Sequence, residues 1–223
     1  MFNDKYRLTE AVLYSKKTVT RRIIKIPEKI RGIKVGGINF GYKYEGVECI
    51  PVGHGPCFDC DRFFVLFDEN GFPIKDSKTY SKYRIGEIVA ISESYKNIHS
   101  EFDADGCIDC PILYDKLSDF GCINSKGWSN KMFVKSELMP HQIQIINVSV
   151  EKLQDITAED CLKEGITSQF RPQSMRTLFY YGNGYEEFYN PKEAYAALIN
   201  KISGNGTWES NPYVFRYEFK IIK

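Results

Sequence analysis

The sequence predicts a mixed α+β fold with an inserted subregion, and three observations carry that prediction. Residues 142–153 and 214–222 alternate apolar and polar side chains with the period of two that a half-buried strand needs. Residues 7–15 and 191–199 instead repeat apolar side chains at helical spacing. The middle of the chain follows neither period, and is polar, broken by glycines and rich in cysteine. At 223 residues, 43% hydrophobic and 26% charged, the chain has an ordinary globular composition and is long enough to bury a real core.

Taken in order, Leu8, Ala11, Val12 and Ser15 predict a short helix behind Thr9. The stretch Lys16-Lys17-Thr18-Val19-Thr20-Arg21-Arg22 then opens a first strand that ends near Ile24. As a strand it places Thr18, Thr20 and Arg22 on one face and Val19, Arg21 and Ile23 on the other, with Lys17 at the turn leading in. Pro27, Gly32, Gly36, Gly37 and Gly41 predict loop up to about residue 56, with room for one short strand. An apolar run from Arg62 to Phe67, the Asn70-Gly71 turn and Phe72 predict a hairpin. Tyr83 to Ile91 reads as a turn and a strongly apolar strand lying inside a sheet or barrel.

Residues 96–127 read as irregular, and a long strand follows Pro140. Its apolar positions change parity between Ile145 and Val148, which predicts a β-bulge. Thr157 is the expected N-cap of a helix that Gly165 stops, and Pro191 opens a helix over Ala194, Tyr195, Leu198 and Ile199. Gly204 to Trp208 reads as loop before the last strand.

Charge is unevenly spread. The net charge is +1, yet residues 1–34 hold ten Lys or Arg against three Asp or Glu, so the remainder is acidic. One basic face of this kind suits a phosphate-bearing partner, and an ordinary solvated basic strand is the competing explanation. The start of the chain lacks the basic-then-apolar pattern of a signal peptide, and no run of 18 apolar residues occurs, so a cytoplasmic protein without membrane contact is expected.

Seven cysteines without an export signal point to reduced thiols or metal ligation in preference to disulfides. Two Cys-x-x-Cys pairs, Cys57/Cys60 and Cys107/Cys110, would supply four thiolates for a structural zinc, with His54 and Cys122 as substitutes. The 46 residues between the pairs exceed the spacing of a compact zinc ribbon, so unliganded thiols stay open as the alternative, and no cofactor is required.

Several segments, in the same order, resemble the ASCH domain of the PUA-like superfamily. They are Lys17-Thr18-Val19-Thr20-Arg21-Arg22 after a helix, Gly86-Glu87-Ile88-Val89, Met139-Pro140 before a long strand, Leu153-Gln154-Asp155-Ile156, Glu164-Gly165-Ile166, and Trp208 through Val214. The resemblance spans about residues 5 to 220 and implies one partly closed β-barrel with flanking helices, carrying insertions at about 43–82 and 96–127. It implies a cleft for RNA or a nucleotide-like ligand. Some members of the family are amidohydrolases on acylated cytidine, and some are reported as ribonucleases. The family's Gly-x-Lys-x-x-Thr-x-Arg pattern matches at Lys17, Thr20 and Arg22, with Ser15 where glycine is usual, and the family's acidic residue falls at Glu164. The chain departs at Met139-Pro140-His141-Gln142, where many members of that family carry an arginine, so that phosphate contact is either absent or supplied by Arg21 or Arg22.

Two chemistries remain open for these residues. Lys17 as base, Thr20 as nucleophile and Glu164 as proton carrier would cleave an amide or an RNA linkage, provided the lysine's pKa is lowered. If Glu164 pairs directly with Lys17, the lysine stays charged and the group becomes a binding clamp. Arg21, Arg22, Trp208 and Asn211 are the expected ligand contacts, Trp208 by stacking on a base. Oligomeric state is not readable from the sequence.

Overall fold

In a computed structural model the described residues are 2–44, 47–49, 61–104, 121–184 and 186–222. Their architecture is a mixed α+β arrangement around a curled antiparallel half-barrel sheet, compatible with a partly closed barrel. The elements are helix α1 (Leu8–Leu13), strands β1 (Val19–Ile23), β2 (Lys29–Ile30), β3 (Ile33–Tyr44), β4 (Val47–Cys49), β5 (Asp61–Asp68) and β6 (Ile88–Ala90), and helix α2 (Tyr95–Ala104). Strand β7 (Gln142–Lys152), helix α3 (Ala158–Lys163), the β8–β9 hairpin (Thr167–Arg171 and Arg176–Tyr180), helices α4 (Pro191–Ser203) and α5 (Thr207–Ser210), and β10 (Tyr213–Ile222) follow.

The main sheet runs β1-β10-β7-β6, with every neighbouring pair antiparallel. The parity change read in β7 is a real bulge. Glu218 pairs with Asn147 and Phe219 with Ile145, so Ile146 is the extra residue and turns out to solvent. That bulge lets Ile143, Ile145 and Val148 all point into the core. Helix α3 starts as expected, the Thr157 hydroxyl accepting from the Asp160 N–H at 3.0 Å. Helix α4 buries Ala194, Tyr195, Leu198 and Ile199. Each such large side chain contributes about 1.5–3 kcal/mol by leaving water.

The second sheet corrects the loop expected over residues 25–56. Strand β3 is 12 residues long and pairs with β2, β4 and β5. Its glycines concealed it, and they are there for close approach. A Cβ on Gly36 would lie 2.6 Å from the Asp68 carbonyl oxygen at a register shift, and one on Gly37 3.0 Å from the Tyr213 hydroxyl. This sheet shares the core of the first, Phe64 meeting Phe215 edge-on at 4.9 Å. The Asn70-Gly71 turn is present, but its return is made of isolated bridges, Phe67 to Pro73 and Phe64 to Thr79, without a second full strand.

Two further expectations are corrected, and a stretch left unassigned by the sequence proves to be a hairpin. Residues 88–90 form a short outer strand with Ile88 exposed, because β7 is the neighbour on one side only. The start of the supposedly irregular 96–127 segment is helix α2, which anchors Tyr95 and Ile98 in a small core with Cys122 and Met139. The 167–180 stretch is a hairpin whose first strand is exposed throughout, leaving no apolar alternation to read. No helix among the described residues is long and apolar enough to cross a membrane.

Candidate functional site

The site is built where α1 hands over to β1. After α1 the chain turns through Ser15 at φ +55°, a left-handed conformation that glycine adopts without strain. The N–H groups of Lys16 and Lys17 both donate to the Ala11 carbonyl at 2.8 Å, which fixes the start of the strand. The Thr18 N–H donates to the Lys163 carbonyl at 2.9 Å, tying that start to the last turn of α3. Gly165, at φ +101°, turns the chain away directly after Glu164. Two residues 147 apart in sequence thereby meet.

Lys17 is only 2% exposed and Glu164 4%. The Lys17 ammonium forms an ion pair with Glu164 Oε2 and also donates to the Glu164 main-chain carbonyl at 2.8 Å. Glu164 thus pairs directly with Lys17. Burial pushes the Lys17 pKa below its ordinary value, and the Glu164 charge opposes that push without cancelling it.

Arg21 faces inward beside this pair, its side chain fully buried. Its Nη1 donates to Glu164 Oε1 at 3.2 Å, its Nη2 to Asp160 Oδ2 at 2.6 Å and its Nε to Glu151 Oε1 at 2.6 Å. Arg216, opposite Arg21 on β10, donates to both Asp160 oxygens at 2.8 and 3.1 Å, and also pairs with Glu218. Two arginines in register would repel, and Asp160 between them removes that conflict. Burial pushes the Asp160 carboxyl up, but the hydrogen bonds from Arg216 and Arg21 outweigh it and hold the pKa at about 2. Burial pushes the Cys161 thiol up to about 12, so it is an inert core group. Burial, with the Glu164 charge second, raises the Tyr195 phenol well above its usual range.

A cavity of about 220 Å³ opens on this cluster, lined by Lys17, Thr20, Arg22 and Glu164 with Tyr195 and Leu198 of α4 across from them. A smaller cavity of about 30 Å³, walled mainly by Tyr83, Ile143 and Phe219, shares Thr20 and Arg22 with it. The structure therefore brings all of Lys17, Thr20, Arg21, Arg22 and Glu164 to one place. It separates their roles. Lys17 and Arg21 are held by internal carboxylates, while Arg22 is exposed.

Trp208 and Asn211 are not among the cavity's lining residues. Trp208 packs edge-on behind Tyr195 with ring centres 6.2 Å apart, and its main-chain N–H donates to Asn200 Oδ1 at 2.8 Å. The Asn211 side chain accepts from the Gln154 N–H at 2.9 Å and, at φ +42°, closes the turn after α5. Both hold the loop before β10. His141 pairs through Nδ1 with the buried Glu93 at 2.9 Å. The zinc site expected at Cys57, Cys60, Cys107 and Cys110, with His54, lies outside the described residues, and no metal-binding cluster occurs among the described ones.

Sequence reasoning missed Glu151, Asp160, Arg216 and Tyr195 as parts of this site. The sequence marks Asp160 only as the residue three after the Thr157 N-cap, and the register that sets Arg216 against Arg21 leaves no mark in either strand's own pattern. No family profile, curated protein or solved structure matches the chain.

Proposed function

We propose that this chain is a PUA-like module of the ASCH type that binds RNA or a nucleotide-like ligand in the cleft beside β1. The observation that carries this reading is the convergence of Lys17, Thr20, Arg22 and Glu164 on one cavity of about 220 Å³. The direct Lys17–Glu164 pair supports a binding clamp, because a charged ammonium is a donor and not a base. Lys17 and Arg21 are already matched by carboxylates, so the cleft suits a ligand with few charges, a nucleoside or a monophosphate in preference to a polyphosphate. Arg22, exposed at the rim, takes the single phosphate contact.

Calorimetric titration of cytidine and adenosine 5′-monophosphates and of a short labelled RNA tests this. Saturable binding that Arg22→Ala weakens for the monophosphate but not for the nucleoside is expected. Absence of binding to every probe would sink the proposal.

One observation favours a second reading, hydrolysis. Burial lowers the Lys17 pKa in a cavity that also holds the Thr20 hydroxyl. In that reaction Thr20 Oγ adds to an acyl carbon as its proton passes to Lys17, and the amide C–N bond breaks with that proton leaving on the amine. Water then hydrolyses the threonyl ester. Glu164 carries protons between these steps. Turnover of N-acylated cytidine or labelled RNA that disappears in Lys17→Ala supports the enzyme, and binding without turnover rejects it.

A further inference from the structure

The cavity does not merely face β1; it runs along the strand's open edge. Among the described residues, strand β1 is the last strand of its sheet and pairs only with β10. Four successive residues, Thr20 to Ile23, all line the cavity, which alternating side chains on one face could not do. The parity of the edge follows from two hydrogen bonds. The Phe219 N–H donates to the Thr18 carbonyl and the Ile24 N–H to the Tyr213 carbonyl, each at 2.9 Å, and the register between them is unbroken. Antiparallel pairing alternates, so Thr20 and Arg22 direct their main-chain groups at β10, and Val19, Arg21 and Ile23 direct theirs away from it. Val19 is closed off at 1% exposure. Arg21 retains 6% exposure although its side chain has none, so what it shows to the cavity is main chain. Ile23 is 41% exposed.

We propose that the main-chain N–H and C=O of Arg21 and Ile23 read the hydrogen-bonding edge of a planar nucleobase, which enters the cavity between β1 and α4 and pairs with the strand as a neighbouring strand would. This rests on the nucleotide reading above and names the part of the ligand that is recognised. A donor beside an acceptor on the strand edge matches the exocyclic amine and adjacent ring nitrogen of cytosine or adenine. Leu198 and Tyr195 of α4 form the opposite wall and flank the ring. Size decides against a peptide strand as the occupant. A cavity of about 220 Å³ is smaller than the pockets of about 300–1,000 Å³ that take drug-sized ligands, which favours one planar ring over a peptide strand of several residues.

The test is a titration followed by the backbone amide signals of the ¹⁵N-labelled chain. Cytidine and adenosine 5′-monophosphates are compared with their 3-methylcytidine and 1-methyladenosine counterparts, whose ring acceptor is blocked. The Arg21 and Ile23 amides are expected to shift saturably, and the methylated probes to bind about tenfold more weakly, the loss of one or two hydrogen bonds. Ile23→Pro removes an outward N–H without removing a ladder bond, a substitution edge strands tolerate, and is expected to weaken binding about tenfold. If that variant fails to fold, the amide shifts of the unaltered chain decide. Binding that leaves both amides unmoved, or that is indifferent to methylation, overturns the edge inference and leaves the cleft standing. Absence of binding to all probes overturns both. Shifts produced by an acetylated tetra-alanine amide and not by nucleotides would make the edge a peptide site and overturn it as well.

Discussion

Replacing Lys17 by methionine keeps most of the side-chain volume and removes the charge from the centre of the ion cluster. Glu164, 4% exposed, then keeps only the 3.2 Å hydrogen bond from Arg21 Nη1 to one oxygen. Its other oxygen and the Glu164 main-chain carbonyl lose their donor. Leaving one member of a buried pair uncompensated costs about 3–5 kcal/mol. At about 2–4 °C per kcal/mol for a chain of this size, Lys17→Met should melt roughly 6–20 °C lower. Glu164→Gln leaves the ammonium with the main-chain carbonyl and a neutral amide, and should cost less, about 1–3 kcal/mol. The decisive measurement is the double variant in urea unfolding followed by tryptophan fluorescence. If the pair is coupled as the geometry requires, Lys17→Met/Glu164→Gln should be more stable than the sum of the single losses predicts, by about 1–3 kcal/mol. Additive losses, or single losses under about 1 kcal/mol, would refute the claim that these two groups depend on each other.

Further outcomes follow from the same cluster and from the second sheet. The Asp160 carboxyl ordinarily titrates near 3.8 and is held to about 2 in the folded chain, so its contribution is complete above the unfolded value and is lost as pH falls through about 2. Urea stability should therefore drop by about 1–2 kcal/mol between roughly pH 4 and pH 2, and Asp160→Asn should flatten that limb. Gly36→Ala, whose Cβ would sit 2.6 Å from the Asp68 carbonyl oxygen, should lower stability by more than about 2 kcal/mol in thermal unfolding. Thr20→Val keeps the shape of the side chain and removes only its hydroxyl, and should weaken nucleotide binding about tenfold by calorimetry.

What the sequence disclosed and what it withheld divide along a physical line. Elements whose burial is periodic were legible, as in α4 with Ala194, Tyr195, Leu198 and Ile199, and even the bulge at Ile146 was visible as a slip in parity. Elements whose glycines serve close approach were not. Strand β3 carries Gly36 and Gly37 because the Asp68 backbone and the Tyr213 hydroxyl crowd those positions, and a window scan takes the same glycines for breakers. The β8–β9 hairpin was lost for the opposite reason, since a strand exposed at every position buries nothing that could alternate.

Within the candidate site, Lys17, Thr20 and Arg22 stand out by type and spacing and Glu164 only through the family resemblance, and neither says which of the cations is left facing the cavity. That depends on what lies beneath them. Arg21 and Arg22 are neighbours of the same chemistry, yet the strand's pleat sends one into Asp160, Glu151 and Glu164 and leaves the other at the surface. The basic stretch that suggested a strongly positive cleft is thus half consumed by internal carboxylates contributed by β7 and α3, from about 130 to 147 residues away. A ligand meeting this cleft finds one exposed guanidinium, a hydroxyl, a paired lysine and an open strand edge. Selection by such a surface rests on hydrogen-bond pattern more than on charge, and its affinity should fall only modestly with salt. A slope of log affinity against log salt near that of a single phosphate contact is the expected result, and a slope of several units would show that further cations reach the ligand.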